Sequence, residues 1–388
     1  MSTRLAWVPE RLPDGWRVVQ MRRIATFRNG ADYKHIEVGD GGYPVYGSGG
    51  EFRRASDYLY DGVSVLFGRK GTIGKPLLVS GRFWTVDTMF FTELSPEVEP
   101  RYLHYYATTM PFDYYSTSTA LPSITQTDLG GHRMPLPPLD VQRAIADFLD
   151  RETARIDVLI AEQQKLVELL RERKRSVANV SLGWRVGHGD RLKWLFVEID
   201  ERAGAQATTL PLLSVSISWG VRRRDEVTDD DARAEDLSNY KTCGRGELVI
   251  NRMRAFQGAL GIAPEEGIVS PDYAVLRPAP GVDGDWLAAV MKTDVFVGEM
   301  ASRIKGIGSV DLGSARTPRI NISDLAQIRL DVPARSVQTK ELSMLRTEVI
   351  KVDALIAESE RFIELARERR AALITAAVTG QIDVRRAA

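Results

Sequence analysis

Much of this sequence is written twice, 196 residues apart, and that repeat constrains the fold more than any local pattern does. Ile156-Asp157-Val158-Leu159-Ile160-Ala161-Glu162 recurs as Val352-Asp353-Ala354-Leu355-Ile356-Ala357-Glu358, and Glu168-Leu169-Leu170-Arg171-Glu172-Arg173 as Glu364-Leu365-Ala366-Arg367-Glu368-Arg369. The same offset relates Asp128-Leu129 to Asp324-Leu325 and Gln142 to Gln338, each around a proline-marked junction: Pro135, Pro137 and Pro138 in one copy, Pro333 in the other. Self-similarity at a fixed period reports architecture before any local assignment. The chain therefore reads as two copies of one plan, a mixed globular part followed by a long helix.

The globular parts, 1–139 and 182–334, carry short β-rich runs such as Val63-Ser64-Val65-Leu66-Phe67 and Glu247-Leu248-Val249-Ile250, punctuated by Gly and Pro, with helical patterns at 100–109 and 285–291. Both read as compact α/β units, and they differ most between about 30–60 and 205–245. The helical parts, 140–181 and 335–388, repeat apolar residues in alternating steps of four and three. The first places Ile145, Leu149, Ile156, Leu159, Leu166 and Leu170 on the seam; the second places Leu345, Val352, Leu355, Phe362, Ala366 and Leu373 there. A helix of about 40 residues extends roughly 60 Å, too far to bury its stripe inside one small domain. An intramolecular antiparallel coiled coil with pseudo-twofold symmetry is the economical solution. The alternatives are packing of each helix on its own globular part, or homodimerisation.

Composition narrows the function classes. At 44% hydrophobic and 27% charged residues the chain is globular rather than disordered or fibrous. Lys and Arg total 52, as do Asp and Glu, so there is no chain-wide basic field and any nucleic-acid surface must be local. The single cysteine, Cys243, excludes a disulfide framework and any multi-thiolate metal site supplied by this chain alone, and points to a reducing, cytoplasmic setting. The first ten residues lack a basic segment followed by an apolar core, and no stretch offers about 18 consecutive apolar residues, so neither secretion nor membrane spanning is expected.

Several catalytic patterns come close and fail. Gly68-Arg69-Lys70-Gly71-Thr72-Ile73-Gly74-Lys75-Pro76 resembles a phosphate loop, but its outer glycines are one residue too far apart and Pro76 replaces the metal-binding hydroxyl. Ser270-Pro271-Asp272-Tyr273 has Asp272 where an amino-methyltransferase loop needs proline. His35, His104, His132 and His188 are scattered without metal-ligand spacing, and Cys243 has no nucleophile context. No residue is assigned a catalytic or metal-binding role.

Basic loops remain. Arg69, Lys70, Thr72 and Lys75 lie in a glycine-rich loop just after a strand, where backbone amides and cations can approach phosphates together. The matching place in the second copy holds Arg252, Arg254 and Gln257, whose side chains suit guanine and adenine edges in a major groove. A solvated basic turn is the plain alternative for either loop. Ser48, within Tyr43-Pro44-Val45-Tyr46-Gly47-Ser48-Gly49-Gly50, and nearby Arg53 form a second candidate recognition loop that is equally a structural hairpin. Residues 116–119 and Lys305 are further candidates for phosphate contacts. The arginines within 171–175 and 367–370 are interspersed with Glu and read as solvated or interhelical charge.

On these features the sequence resembles the specificity subunits of type I restriction–modification systems. The resemblance spans essentially the whole chain and rests on the domain–helix–domain–helix order, on Leu12-Pro13-Asp14-Gly15-Trp16, on Pro44-Val45-Tyr46-Gly47-Ser48-Gly49-Gly50, and on Pro135-Leu136-Pro137-Pro138-Leu139-Asp140-Val141-Gln142. The second copy reads Asp331-Val332-Pro333-Ala334-Arg335-Ser336-Val337-Gln338, keeping the Pro and Gln but little else, and lacks a Tyr-Gly-Ser-Gly-Gly loop. The resemblance implies a non-catalytic DNA reader: two target-recognition domains, each for half of a bipartite asymmetric site in double-stranded DNA, held by a helical spacer. It implies two modification subunits that bring S-adenosylmethionine, and two restriction subunits that bring ATP and Mg. The competing classes are a solitary scaffold or decoy subunit and a self-contained nuclease. The nuclease would need a carboxylate–lysine metal motif that no run of this sequence supplies.

Overall fold

Val65, Leu66 and Phe67 alternate between two apolar layers, and that alternation sets the centre of the first of two units. The computed structural model describes residues 7–9, 11–115, 122–227, 236–304 and 319–385. These fall into one unit made of 1–164 with 360–388 and another made of 165–359.

In the first unit the strands are β1 (Arg17–Gln20), β2 (Ala25–Asn29), β3 (Glu37–Val38), β4 (Tyr43–Gly47), β5 (Gly50–Ala55), β6 (Tyr60–Gly68), β7 (Leu77–Thr85) and β8 (Met89–Leu94). Seven of them form one sheet in the order β2-β8-β6-β7-β4-β5-β3. Only the β4–β7 pairing is parallel. Val65 and Phe67 of β6 join Phe27 and Phe90 in the main core, while Leu66 joins Val79, Phe83 and Phe91 on the other face. A strand buried on both faces reads as a continuous apolar run. Next come α1 (Pro100–Ala107), α2 (Phe112–Tyr115) and α3 (Gln126–Gly131), the last started by a capping box between Thr125 and Asp128. Strand β9 (Arg133–Leu136) then pairs with β1 and leads into α4 (Leu139–Leu182).

The second unit contains β10 (Val186–Arg191), β11 (Phe196–Ile199), β12 (Leu213–Ser216), β13 (Gly220–Arg223), β14 (Lys241–Cys243), β15 (Leu248–Asn251), β16 (Leu260–Ile262), β17 (Gly267–Val269) and β18 (Tyr273–Pro278). After them come α5 (Gly284–Met291), α6 (Asp294–Ser302), α7 (Ile322–Leu325), β19 (Arg329–Leu330) and α8 (Arg335–Val378). Its antiparallel sheet has the order β11-β18-β15-β16, the same order as β2-β8-β6-β7 in the first unit. Strand β10 pairs with β19 as β1 pairs with β9. The units part company where their sequences do: β3 to β5 extend the first sheet, whereas β12–β13 and β14–β17 form separate two-stranded pairs in the second.

Helices α4 and α8 are each 44 residues long and begin at Leu139 and Arg335, reproducing the 196-residue offset of the sequence. A buried glutamine roots each one. Gln142 Nε2 donates to the carbonyls of Glu97 and Pro137, and its Oε1 accepts from the Glu99 amide. Gln338 Nε2 donates to Gly281 and Pro333, and its Oε1 accepts from the Asp283 amide. Glu99 and Asp283 are the residues that cap α1 and α5. One amide side chain thus ties the start of the long helix to the start of the domain helix and to the proline turn between them.

The inner stripe of the long helices runs one residue to the side of the expected seam at alternate turns. Ile145, Leu149, Ile156, Leu170 and Val352 are buried, and Leu345 and Leu373 are partly buried against the cores. Leu159, Leu166, Leu355 and Phe362 are instead exposed at 45%, 40%, 50% and 42%. Their neighbours turn inward: Val167 and Ile363 are buried, Ile160 and Ile356 half-buried. Each exposed residue is followed by an apolar β-branched one, so a four-three alternation can be threaded through either of two adjacent apolar positions. The same inward positions are used in both helices. Asp157 pairs with Arg370 at 2.9 Å in the first unit, and Lys174 with Asp353 at 2.6 Å in the second. Asp353 and Arg370 are the 196-residue counterparts of Asp157 and Lys174.

His132 closes the first core. Its Nε2 meets the Tyr106 hydroxyl at 2.7 Å, its Nδ1 meets Tyr115 at 2.6 Å, and Trp7 stacks on the ring with centroids 5.4 Å apart. Burial lowers its pKa from 6.5 to about 4. A base held neutral in the folded state contributes stability that is complete above pH 6.5 and is lost as the unfolded chain takes up its proton, down to about pH 4. Urea denaturation at pH 7 and pH 5 is expected to show about 2 kcal/mol less stability at pH 5 from this residue, a difference that His132→Phe removes. Replacing Gln142 or Gln338 by Leu strands buried partners and is expected to cost about 3 kcal/mol in the unit concerned. An unchanged urea midpoint would count against the root contact.

Candidate nucleic-acid interface

The loop that follows β6 is built by its glycines and by the strand beside it. A Cβ on Gly68 would lie 2.2 Å from the Thr72 carbonyl oxygen, so the turn closes only on glycine, and Gly71 has φ +80°. The Arg69 amide donates to Thr88, the Gly71 amide to Pro122, and the Ile124 amide to Arg69, pinning the loop on two sides. The side chains divide accordingly. Arg69 donates to the Asp87 carbonyl and lies 5.9 Å over the Phe90 ring, half-buried. Lys70, Thr72 and Lys75 are exposed, and among the described residues neither lysine makes an ion pair.

The loop after β15 occupies the equivalent place in the second sheet. Asn251 accepts from the Met253 amide, a 3-10 turn spans Ala255–Gln257, and Gly258 closes it at φ +85°. Arg252 is committed to its own domain: its Nε donates to the Ile320 carbonyl at 3.1 Å and its Nη2 to Asn321 Oδ1 at 3.2 Å. Arg254 and Gln257 stand exposed at the tip. Burial raises the Tyr273 pKa, with Arg224 and Arg254 opposing the shift and Tyr240 and Asp272 adding to it.

Ser48 and Gly49 form the turn of the β4–β5 hairpin, with Ser48 half-buried. Arg53 on β5 pairs with Glu37 at 3.0 Å, and Arg54 with Glu51 at 3.5 Å. That face is therefore charge-compensated. Lys305 and residues 116–119 lie outside the described residues. The geometry leaves two exposed basic loop tips, 70–75 and 254–257, at the same place in two sheets of the same strand order. Lysines and main-chain amides suit phosphates, and an arginine with a glutamine suits base edges.

Residues 13–169 match the family model described as the type I restriction modification DNA specificity domain. This segment is similar to that domain. It carries the first of the two basic loops and the root of α4. The fold likeness extends further than the sequence match. A chain from a structure on complex assembly and conformational transition of the type I R-M system superposes with a TM-score of 0.65 at 16% identity, covering 96% of this chain and 100% of that one. The HsdS subunit from Thermoanaerobacter tengcongensis superposes with a TM-score of 0.55 at 17% identity, covering 96% and 99%. Both units and both long helices thus have the fold of specificity subunits. No curated protein matches the chain by sequence. Among the described residues no helix is long and apolar enough to cross a membrane.

Substituting the two tips separates reading from folding. Lys70→Ala and Arg254→Ala are each expected to weaken duplex binding by about 1–3 kcal/mol and to lower the salt slope by about 1, measured by fluorescence anisotropy at several salt concentrations. Arg252→Ala is expected to lower the unfolding midpoint of the second unit instead.

Proposed function

We propose that this chain is the DNA-reading specificity subunit of a type I restriction–modification complex in the cytoplasm. Each α/β unit reads one half of a bipartite, asymmetric target in double-stranded DNA, the first through the 69–75 loop and the second through Arg254 and Gln257. The observation that carries this reading is the pairing of like scaffold with unlike tip: one strand order, β2-β8-β6-β7 and β11-β18-β15-β16, presenting Lys-Gly-Thr in one unit and Arg-Ala-Phe-Gln in the other. Two readers of different chemistry specify two different half-sites.

Helices α4 and α8 form an antiparallel coiled coil that fixes the gap between half-sites and gives the chain its pseudo-twofold plan. The ion pairs support this, since Asp157–Arg370 and Lys174–Asp353 match a late residue of one helix with an earlier residue of the other in each unit. The spacing of half-sites then follows from protein geometry. The chain itself performs no catalysis. Two modification subunits dock on it and transfer methyl groups from S-adenosylmethionine to adenine, and two restriction subunits with ATP and Mg join them for cleavage. A subunit of zero net charge is compatible with DNA binding when partners contribute phosphate-contacting cations.

Genome-wide mapping of methylated adenines in the host, with this gene intact and deleted, tests the proposal directly. The expected result is a split motif with a fixed gap that disappears on deletion. An unaltered methylome in a host whose modification subunit is active would overturn it.

A further inference from the structure

The two basic loops are fastened to equivalent segments of their units, and the residues that follow differ. The Ile124 amide donates to the Arg69 carbonyl at 3.1 Å in the first unit, and the Ile320 amide to the Arg252 carbonyl at 3.0 Å in the second. Ile124 and Ile320 are 196 residues apart, as are the residues two positions on, Gln126 and Ile322. Strands β2 and β11 align in the same way, since the amides of Met21 and Leu192 donate to the equivalent carbonyls of His132 and Ile328. Counting from there, Asn29 at the end of β2 corresponds to Asp200 just past β11.

In the first unit these two positions carry carboxamides in contact: Gln126 Nε2 donates to Asn29 Oδ1 at 3.2 Å. Both ends of the contact are held. The capping box of Thr125 and Asp128 fixes the start of α3, where Gln126 is the first residue, and the Gly30 amide holds the end of β2 by donating to the Met89 carbonyl at 3.0 Å. Lys70 bridges to Ser123 and the Gly71 amide reaches Pro122, so the pair stands beside the exposed 70–75 tip. Asn29 is exposed and Gln126 half-buried, and among the described residues neither carboxamide has another partner. The second unit offers nothing comparable at these positions. Ile322 packs against the second core, and Asp200 is taken by Lys241 and Arg202, each at 3.0 Å.

A glutamine that gives one N–H to a neighbour keeps its other N–H and its carbonyl oxygen. Adenine answers that combination in the major groove, with N7 accepting and the N6 amino group donating, whereas guanine offers two acceptors and sets O6 against the glutamine oxygen. We infer that Gln126 is a specificity-determining residue of the first unit, reading the adenine of one A·T pair by a bidentate contact, and that Asn29 is the residue that positions it. The inference rests on the functional reading above. It assigns the A·T contact to the first half-site alone, because the second unit has an aliphatic side chain and a neutralised carboxylate in the same two places.

The test maps methylated adenines in a host with an active modification subunit, carrying either the parent chain or Gln126→Ala. Fluorescence anisotropy then compares binding of the assembled complexes to duplexes in which each A·T pair of the mapped motif is exchanged in turn for G·C. The parent is expected to lose about tenfold or more in affinity at one A·T pair of one half-site, and Gln126→Ala to relax the motif at that pair alone, leaving a loss there of about twofold or less. Asn29→Asp keeps the acceptor and is expected to keep the parent's ratio of A·T to G·C affinity, while Asn29→Ala lowers it. That surface pair of variants keeps the test informative if Gln126→Ala folds poorly. Gln257→Ala is expected to relax the other half-site. A motif unchanged by Gln126→Ala would overturn the inference and leave the specificity reading standing. An equal fall in affinity on every duplex would indicate a phosphate contact and overturn it as well. Relaxation by Gln126→Ala and Gln257→Ala in the same half-site would overturn the assignment to the first unit. A methylome without any motif that depends on this chain would overturn the specificity reading itself.

Discussion

A single buried amide at the start of each long helix holds the architecture of its unit together. Gln142 and Gln338 each use one side-chain oxygen and one nitrogen to satisfy three main-chain groups: the amide that caps the domain helix, the carbonyl two residues before it, and the carbonyl of the proline five residues before the glutamine itself. Those groups lie at a junction where the chain leaves a strand pair and begins a helix, so they have no partner in regular structure. Left unpaired in the interior each would cost one to three kcal/mol, whereas a paired amide fixes the direction in which the helix leaves. A long helix keeps its direction only if it is stiff at its root as well as along its length.

Side chains around that root repeat the plan with altered chemistry. Tyr102 and Trp286 occupy the same position after the cap and are both fully buried; the tyrosine donates to the Pro135 and Val378 carbonyls, and the tryptophan to Glu341. Arg101–Asp150 becomes Asp285–Arg346. Exchange of both charges preserves attraction, and exchange of one would have produced a like-charge pair. The second root also gains a buried arginine, Arg185, held by Asp331 and Glu341 and stacked 4.2 Å under Trp184. Packing at the roots therefore tolerates new residues as long as volume and charge pairing are conserved.

How much of this was readable in the sequence depended on how local the constraint was. The two long helices and their 196-residue offset were legible because each turn repeats the same demand for an apolar residue. The side of the helix facing inward was less so: at 159–160, 166–167, 355–356 and 362–363 two apolar residues stand together, and only the neighbouring structure chooses Ile160, Val167, Ile356 and Ile363. Gln142 and Gln338 were visible as a matched pair, but their partners Glu99 and Asp283 are 184 residues apart rather than 196, so the contact lay outside the repeat that revealed the glutamines. Gly15-Trp16-Arg17-Val18 and Gly183-Trp184-Arg185-Val186 are a third echo, at 168 residues, and mark where each domain begins. Insertions between the roots shift these offsets independently, and a search at one period finds only the segment that kept it.

The basic loops illustrate the limit of composition. Arg252 and Arg254 look alike in sequence, two residues apart on a loop, yet Arg252 gives two of its donors to Ile320 and Asn321 while Arg254 keeps its donors at the surface. The difference comes from the segment near Ile320, which packs its buried side chain against the second core and brings a carbonyl within reach of the nearer arginine. A guanidinium bound to main chain orders the loop, and an ordered loop loses less entropy when its neighbour reaches a base edge. Arg252 thus fixes the turn from which Arg254 and Gln257 project, and the same division holds in the first unit, where Arg69 is tied to Asp87 and Lys70 stands exposed.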